Sequence, residues 1–244
     1  MSQATHKDCL LVAEGIRKSF RIGDREIEIL HGANLELRRS ERLCLMGASG
    51  AGKSTFLHVL GLLEPPTEGR ILLNGKSTWD LPMRERAALR NRHIGFVFQA
   101  YHLLPDLTAL ENIILPARIA GAYGTLPFVK REAEQEAAEI LERFGLKDRL
   151  KHKPNQLSGG ERQRVSIARA LFLKPEIVIA DEPTGNLDTG TGERVLELLF
   201  HEQQSRGASL LLVTHDERLA ERCDRVLMME DGQIQADSSV VIPH

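Results

Sequence analysis

A glycine-rich segment followed by a lysine and two hydroxyl residues is the part of the sequence best suited to chemistry. It reads Gly47-Ala48-Ser49-Gly50-Ala51-Gly52-Lys53-Ser54-Thr55 and matches the G-x-x-x-x-G-K-[ST] pattern of a phosphate-binding loop. The glycines let successive backbone N–H groups turn toward phosphate oxygens, and the following helix presents its positive end to the same anion. The pattern predicts a nucleotide site in which Lys53 contacts the β- and γ-phosphates and Ser54 ligates Mg²⁺.

A pair of acidic residues follows the apolar run 177–180. An apolar strand that ends in aspartate is typical of the metal-binding strand of a phosphate-loop protein, so Asp181 is predicted to hold Mg²⁺ through water. Glu182 would then lie at the strand end near the γ-phosphate, which makes it the candidate general base. Without the phosphate loop, the same residues could be an ordinary exit from strand to loop.

The segment Leu157-Ser158-Gly159-Gly160-Glu161 combines a helix start with two adjacent glycines. Ser158 and Glu161 have the spacing of a capping box, which predicts that a helix begins at Ser158. Capping does not explain Gly159 and Gly160. Exposed N–H groups at a helix start suit an anion, so the glycines indicate a second phosphate contact.

The elements that position these residues alternate along the chain between short apolar runs and segments of helical periodicity. Strands are predicted at 10–13, 26–30, 43–46, 71–73, 94–98, 177–180, 210–213 and 226–229, and helices at 53–63, 131–144, from 158 onward and at 192–204. Such alternation favours an α/β fold with a mainly parallel sheet. The segment of about 101–157 changes character and is predicted to be an inserted helical subdomain.

One predicted helix, 131–144, has a clear apolar face and a stop signal at Gly145. The residues of that face are Ala133, Ala137, Ile140, Leu141 and Phe144.

Composition excludes several classes of protein. The 244 residues are 42% hydrophobic and 27% charged with a net charge of -2, which is ordinary for a globular chain and gives no support for a nucleic-acid partner. No apolar run is long enough for a membrane span, and the apolar stretch near the N-terminus is too short for a secretory signal. Three cysteines without CxxC spacing indicate a reducing cytosol rather than disulfides or a zinc site.

At this point the order of the motifs resembles that of the ATP-binding cassette (ABC) family of nucleotide-binding subunits. The segment 157–161, followed by RQRVSIARAL, looks like the family's signature. The resemblance implies a P-loop NTPase fold with a mainly parallel sheet, an N-terminal antiparallel β subdomain and an inserted α-helical subdomain. The whole chain, 1–244, would form one ATPase domain, with its catalytic core at 1–100 and 158–244.

The resemblance also implies roles for single residues. Phe20 would stack on adenine, Gln99 would sense Mg²⁺ and the attacking water, and His215 would contact the γ-phosphate. Gly185–Asp188 resembles the D-loop, in which Asp188 would help to form the nucleotide site. Read one at a time, Phe20 could be a core aromatic, Gln99 a polar strand end and His215 a surface or core histidine.

A narrower resemblance, to the lipoprotein-releasing subfamily, comes from 103–112 and from Asp181–Asp188, of which the second also fits the macrolide-exporter type. The segment 103–112 could contact a permease or form core. Ala48 and Ala51 replace serines that are common in relatives, at positions where the pattern allows any residue. The segment 121–130 is distinctive and would lie near the permease-facing surface.

The resemblance implies an ATPase that powers release or export of lipoproteins through separate integral membrane permease subunits. Two copies would bind ATP and Mg²⁺ head to tail, at the cytoplasmic face of the inner membrane, as a peripheral protein. An exporter of macrolides or peptides and a cell-division-type regulator without transport remain alternatives. A soluble cassette of DNA repair or translation is disfavoured by the single phosphate loop and the lack of a long heptad run.

Overall fold

The structure is a computed structural model that describes residues 9–235. Residues 1–8, which belong to the segment predicted to lack a secretory signal, lie outside the described residues, as do residues 236–244. The described chain forms two compact units, of which the first comprises 9–87 and 209–235 and the second 88–208.

The first unit contains most of the strands. In chain order its elements are β1 (Cys9–Ile22), β2 (Arg25–Arg38), β3 (Arg42–Met46), α1 (Lys53–Leu60), β4 (Glu68–Leu73), β5 (Lys76–Ser77), β8 (Ser209–Val213), α7 (Glu217–Ala220), β9 (Arg225–Glu230) and β10 (Gln233–Ile234). The second unit contains β6 (Ile94–Phe98), α3 (Ala109–Ala122), α4 (Lys130–Arg143), α5 (Gly159–Leu171), β7 (Ile177–Asp181) and α6 (Thr189–Arg206). Helix α2 (Met83–His93) begins in the first unit and ends in the second.

An antiparallel sheet of order β2-β1-β4-β5 forms one part of the first unit. The predicted strands 10–13 and 26–30 lie within β1 and β2, but both strands are 14 residues long. Their pairing shifts register between Ala13 and Ile16, where Gly15 has φ 59 and its N–H donates to Oδ1 of Asn34 at 2.8 Å. A bulge breaks the alternation of apolar and polar residues, so sequence periodicity underestimates the strands.

The other strands of the first unit have the order β10-β9-β3-β8. β3 pairs in parallel with β8 and β9, and every residue of β8 is buried. Parallel strands buried on both faces explain the uninterrupted apolar runs. Two predictions were wrong. Helix α1 ends at Leu60 rather than at residue 63, because Leu62 turns to φ 59. The strand 226–229 was predicted to be the last, but β10 follows it.

The second unit pairs β6 and β7 in parallel, with Phe98 opposite Asp181. The predicted apolar face of α4 is confirmed as buried, and Gly145 ends the segment with φ 68. The predicted helix 192–204 is longer, since Asp188 caps α6 at Thr189. Helix α2 has no apolar face that could be predicted, because none of its side chains is buried.

The predicted fold class is confirmed: strands alternate with helices, the N-terminal sheet is antiparallel, and the later strands are mainly parallel. Within residues 9–235, no helix combines the length and the apolar character needed to cross a bilayer.

Helix α3 of the second unit begins with a capping box formed by Thr108 and Glu111. The Thr108 hydroxyl accepts from the Glu111 N–H at 3.2 Å, and the Glu111 carboxylate accepts from the Thr108 N–H at 2.9 Å. We expect Thr108→Ala to lower the free energy of unfolding by about 1 kcal/mol, because it removes this cap. Urea unfolding followed by circular dichroism measures the change. Thr108→Ser should behave like the wild type, and equal losses in both variants would contradict the capping account.

The same contacts predict a pH dependence. Hydrogen bonds from Thr108 lower the pKa of the Glu111 carboxyl below its usual range. A lowered folded-state pKa stabilises the fold above the unfolded pKa of about 4.3, and the gain is lost as the pH falls through the folded-state pKa. Glu111→Gln should therefore reduce the loss of stability below about pH 4.3, measured by urea unfolding at several pH values. An unchanged acid profile would contradict this assignment.

Candidate functional site

The predicted phosphate loop connects the carboxyl end of β3 to α1. Gly47, Gly50 and Gly52 have φ of 151, 83 and 99, values that glycine adopts readily. A side chain on Gly47 would overlap the carbonyl oxygen of Met229. The loop therefore turns tightly out of the strand, as a cradle of backbone N–H groups requires.

The loop is supported from behind by the turn between β9 and β10. The Gly232 N–H donates to the Ala51 carbonyl at 3.0 Å, and the His31 N–H donates to the Gly232 carbonyl at 2.9 Å. Gly232 has φ 71, and a side chain there would overlap the Ile29 carbonyl. This support is not predictable from the sequence alone, although Asp231-Gly232 is a recognisable turn signal.

The Lys53 side chain is hydrogen-bonded to the loop that precedes it. Its Nζ donates to the carbonyls of Gly47 and Ala48, each at 2.8 Å. Gly52 caps α1, whose first turn, Lys-Ser-Thr-Phe, carries no acidic side chain. An ammonium group, a positive helix end and turned N–H groups together favour a polyphosphate.

Phe20 and His215 belong to the same unit. Phe20 lies on β1 and is half-buried, and the Nζ of Lys18 is 4.9 Å from its ring centroid. Its ring is thus partly open to solvent and does not belong to the buried core. His215 is exposed, two residues after β8 and next to Asp216, which caps α7.

Gln99, Asp181 and Glu182 are brought to one edge of the second unit. Asp181 ends β7 opposite Phe98, so Gln99 and Glu182 each follow the same pair. Glu182 has φ 46, a strained conformation for a residue with a side chain. Such strain often occurs at functional sites, where the surrounding structure sets the direction of a side chain.

The predicted D-loop follows this edge. The Asn186 Nδ2 donates to the Gln99 carbonyl at 2.9 Å, and the Gln99 Nε2 donates to the Asn186 Oδ1 at 3.4 Å. The Asp188 carboxylate caps α6 by accepting from the Thr191 N–H at 3.0 Å, which lowers the pKa of Asp188. The structure therefore gives Asp188 a local structural role beside its predicted one.

The predicted capping box at the signature is confirmed. The Ser158 hydroxyl accepts from the Glu161 N–H at 3.3 Å, and the Ser158 N–H donates to the Glu161 carboxylate at 2.8 Å. Arg149 binds the same carboxylate at 2.9 Å. The bond from the Ser158 N–H, followed by the contact with Arg149, lowers the pKa of Glu161, so the carboxylate is ionised at neutral pH.

The two signature glycines also have a packing reason that sequence analysis missed. A side chain on Gly160 would overlap Thr191 at the start of α6. A Cβ on Gly159 would lie 3.2 Å from both Leu187 and the hydroxyl of Tyr101. The signature thus touches both the D-loop and the segment after Gln99. Close packing therefore requires glycine at residue 160 and favours it at residue 159.

A cleft of about 560 Å³ beside the signature is basic. Its lining includes Ser158, Gly160 and the guanidinium groups of Arg143, Arg164 and Arg194. Burial lowers the pKa of Arg164, the Glu161 carboxylate opposes this shift, and the like charge of Arg194 adds to it. Three arginines at one cleft favour an anion over a cation there.

The segment 103–112 contains both buried and exposed side chains. Asn112 is fully buried, its Nδ2 donates to the carbonyls of Leu104, Leu107 and Thr108, and its Oδ1 accepts from the Leu104 N–H. The Leu104 side chain is 44% exposed. Asn112 thus holds the backbone in a shape that presents Leu104 to solvent. The distinctive segment 121–130 also has exposed apolar side chains, at Tyr123 and Val129.

The phosphate loop, the acidic strand end and the capped glycine pair are those of an ATP-binding cassette. A family model described as ABC transporter matches residues 30–185, and the chain therefore belongs to the ABC transporter family. Like the cassettes of that family, it is an ABC ATPase.

Several relatives match nearly the whole chain. The lipoprotein-releasing system ATP-binding protein LolD of Legionella pneumophila (strain Paris) is 46% identical over 94% of this chain and 98% of its own length. LolD of Shewanella oneidensis is 45% identical over 96% and 99%. The macrolide export ATP-binding/permease protein MacB of Bartonella henselae is 47% identical over 97% of this chain, which corresponds to 35% of MacB.

A solved structure has the same fold. The ATP-binding cassette MJ0796, determined as a dimer bound to ADP and Pi, superposes with a TM-score of 0.85 and 38% sequence identity. The match covers 94% of this chain and 98% of that one.

The contacts of Lys53 predict the effect of removing it. We expect Lys53→Ala to abolish ATP binding in calorimetry, because the loop loses its ammonium group. Lys76→Ala, which removes an exposed lysine from β5 of the same unit, is the matched control and should bind normally. Unchanged ATP affinity in Lys53→Ala would refute the assignment of the loop.

Proposed function

We propose that this chain is the ATP-hydrolysing subunit of an ABC transporter that releases lipoproteins from the inner membrane. The observation that carries the proposal is the match to LolD along nearly the full length of both chains. The site supports it with residues suited to binding and hydrolysing a nucleoside triphosphate.

In this proposal two copies bind ATP head to tail. In one copy Phe20 stacks on adenine, the loop 47–55 holds the phosphates, and His215 contacts the γ-phosphate. Ser158, Gly159, Gly160 and Glu161 of the other copy complete the site, together with Asp188. The basic cleft beside Ser158 supports this, because a cation-lined surface attracts the terminal phosphate. The dimeric state of MJ0796 also supports it.

The residues present suit Mg²⁺. Hard divalent cations take oxygen ligands, and Ser54, Gln99 and Asp181 offer a hydroxyl, an amide carbonyl and a carboxylate. The Gln99 Nε2 is engaged by Asn186, which leaves its Oε1 for a metal. When bound, the ion would neutralise phosphate charge as the γ-phosphoryl group leaves.

Glu182 is proposed as the general base. Its carboxylate would accept a proton from the attacking water, while Lys53 and the signature N–H groups stabilise charge on the transferred group. The strained backbone of Glu182, directly after β7, supports this role, because such strain is concentrated at functional sites. Gln99 and His215 would orient the water. Closure of the two copies would exclude bulk water, and hydrolysis would reopen them.

The closing and reopening of the two copies can drive transport only through a membrane partner. We propose that integral permease subunits are this partner. The exposed Leu104, held in place by Asn112, supports a permease contact at 103–112. The chain would then act as a peripheral protein on the cytoplasmic face of the inner membrane. We also propose that residues of about 101–157 form a helical insertion in the catalytic core.

Macrolide or peptide export is the second candidate, because the identity to MacB is as high as that to LolD. The two functions differ in what accumulates when the protein is lost. We expect depletion in the native host to leave palmitate-labelled lipoproteins in the inner-membrane fraction of a density gradient. Normal lipoprotein sorting with increased macrolide sensitivity would instead support the exporter.

The proposed base predicts a separation of binding from turnover. Glu182→Gln should retain ATP binding and lose nearly all steady-state hydrolysis, because an amide does not accept the proton of the attacking water. Phosphate release and calorimetry measure the two properties. Glu197→Gln, an exposed position on α6, is the matched control. Hydrolysis at the wild-type rate in Glu182→Gln would exclude Glu182 as the base.

A further inference from the structure

We propose that Asn186 is a positioning residue that sets which end of the Gln99 side-chain amide faces the metal. The inference rests on the proposed function, in which the Gln99 Oε1 ligates Mg²⁺. The D-loop would then orient the Gln99 amide of its own chain, in addition to any contact with a second copy.

The orientation of the Asn186 amide is fixed by its contact with a backbone carbonyl. A backbone carbonyl can only accept a hydrogen bond, so the atom of Asn186 at 2.9 Å from the Gln99 carbonyl oxygen is the Nδ2. The chemistry of the carbonyl thus fixes the amide of Asn186 without reference to any other partner. Its Oδ1 is thereby left to face the Gln99 side chain.

The orientation of Asn186 determines that of the Gln99 amide. The Oδ1 of Asn186 only accepts, so the Gln99 atom that lies 3.4 Å from it is the donor Nε2. The Gln99 Oε1 then points away from Asn186. Without Asn186, the amide of Gln99 could rotate by half a turn and present its NH₂ group, which cannot ligate a cation.

The backbone that follows Gln99 is held by other groups. Tyr101 and His102 both have left-handed conformations, with φ of 60 and 47. Arg169 on α5 donates to their carbonyls at 2.8 and 2.6 Å, and the Ser166 hydroxyl donates to the Tyr101 carbonyl at 3.2 Å. Burial lowers the pKa of Arg169 to about 10, so it stays charged at neutral pH. The side-chain orientation of Gln99 is the freedom left for Asn186 to set.

Gly185 supplies independent support from sterics. A Cβ at this position would lie 2.7 Å from the Gln99 Nε2, closer than real Cβ contacts allow. The D-loop therefore leaves room for the Gln99 amide and binds it from the neighbouring residue. Gly185→Ala offers a second way to displace the amide, without any change to Asn186.

The test measures how strongly metal improves nucleotide binding. The full-length wild type, Asn186→Ala, Gly185→Ala and Gln99→Ala are titrated by calorimetry with ADP in EDTA and with ADP plus Mn²⁺. We expect Asn186→Ala and Gly185→Ala to keep the metal-free ADP affinity and to lose about fivefold in the gain from Mn²⁺, the scale of one hydrogen bond. The Mg²⁺ concentration for half-maximal ATP hydrolysis should rise by a similar factor.

The matched control is Asn91→Ala, which removes another side-chain amide bond to a backbone carbonyl in the same unit, to Pro116 at 3.0 Å. It should change neither quantity. The double variant Gln99→Ala/Asn186→Ala should show the same metal gain as Gln99→Ala, because Asn186 acts through Gln99.

Two results would overturn the inference while leaving the proposed function intact. One is a wild-type metal gain in Asn186→Ala and Gly185→Ala when Gln99→Ala reduces it, and the other is additive losses in the double variant. A Gln99→Ala variant with a wild-type metal gain would instead refute the metal role of Gln99, and the inference with it. The proposed function would fail separately if the wild type did not bind ADP, either in EDTA or with Mn²⁺.

Discussion

The phosphate loop depends on a steric restriction at the point where the chain leaves β3. The carbonyl oxygen of Met229 occupies the space that a side chain at residue 47 would need, so only glycine fits. The chain then turns through Gly50 and Gly52 into α1, and the turn at Gly232 holds the loop from the other side. A rigid loop of this kind offers its N–H groups to phosphate without reorganisation during the reaction.

The second unit brings together three segments that lie far apart in the chain. Arg169 on the signature helix α5 holds the backbone after Gln99, Asn186 of the D-loop binds the Gln99 amide, and Gly159 lies against Tyr101 and Leu187. A displacement of any one segment therefore disturbs the other two. Coupled segments of this kind suit a cycle of closing and opening.

Local signals account for what the sequence could predict. The capping box at Ser158 and the apolar face of α4 depend on residues three or four apart in the chain. Both could therefore be predicted from the sequence, and the structure confirms both. Helix α2 has no buried side chain and hence no periodicity, and the bulge at Gly15 concealed the length of β1 and β2. Contacts distant in the chain, such as Gly232 with Ala51 and Asn186 with Gln99, have no local pattern.

In the proposed function, ATP joins the phosphate loop of one copy to the signature of another. Light scattering of Glu182→Gln with Mg²⁺ and either ATP or ADP measures this association, because the variant should bind ATP and hydrolyse it too slowly for the two copies to separate. We expect twice the mass of one chain with ATP and the mass of a single chain with ADP. The mass of a single chain with both nucleotides would exclude ATP-dependent association.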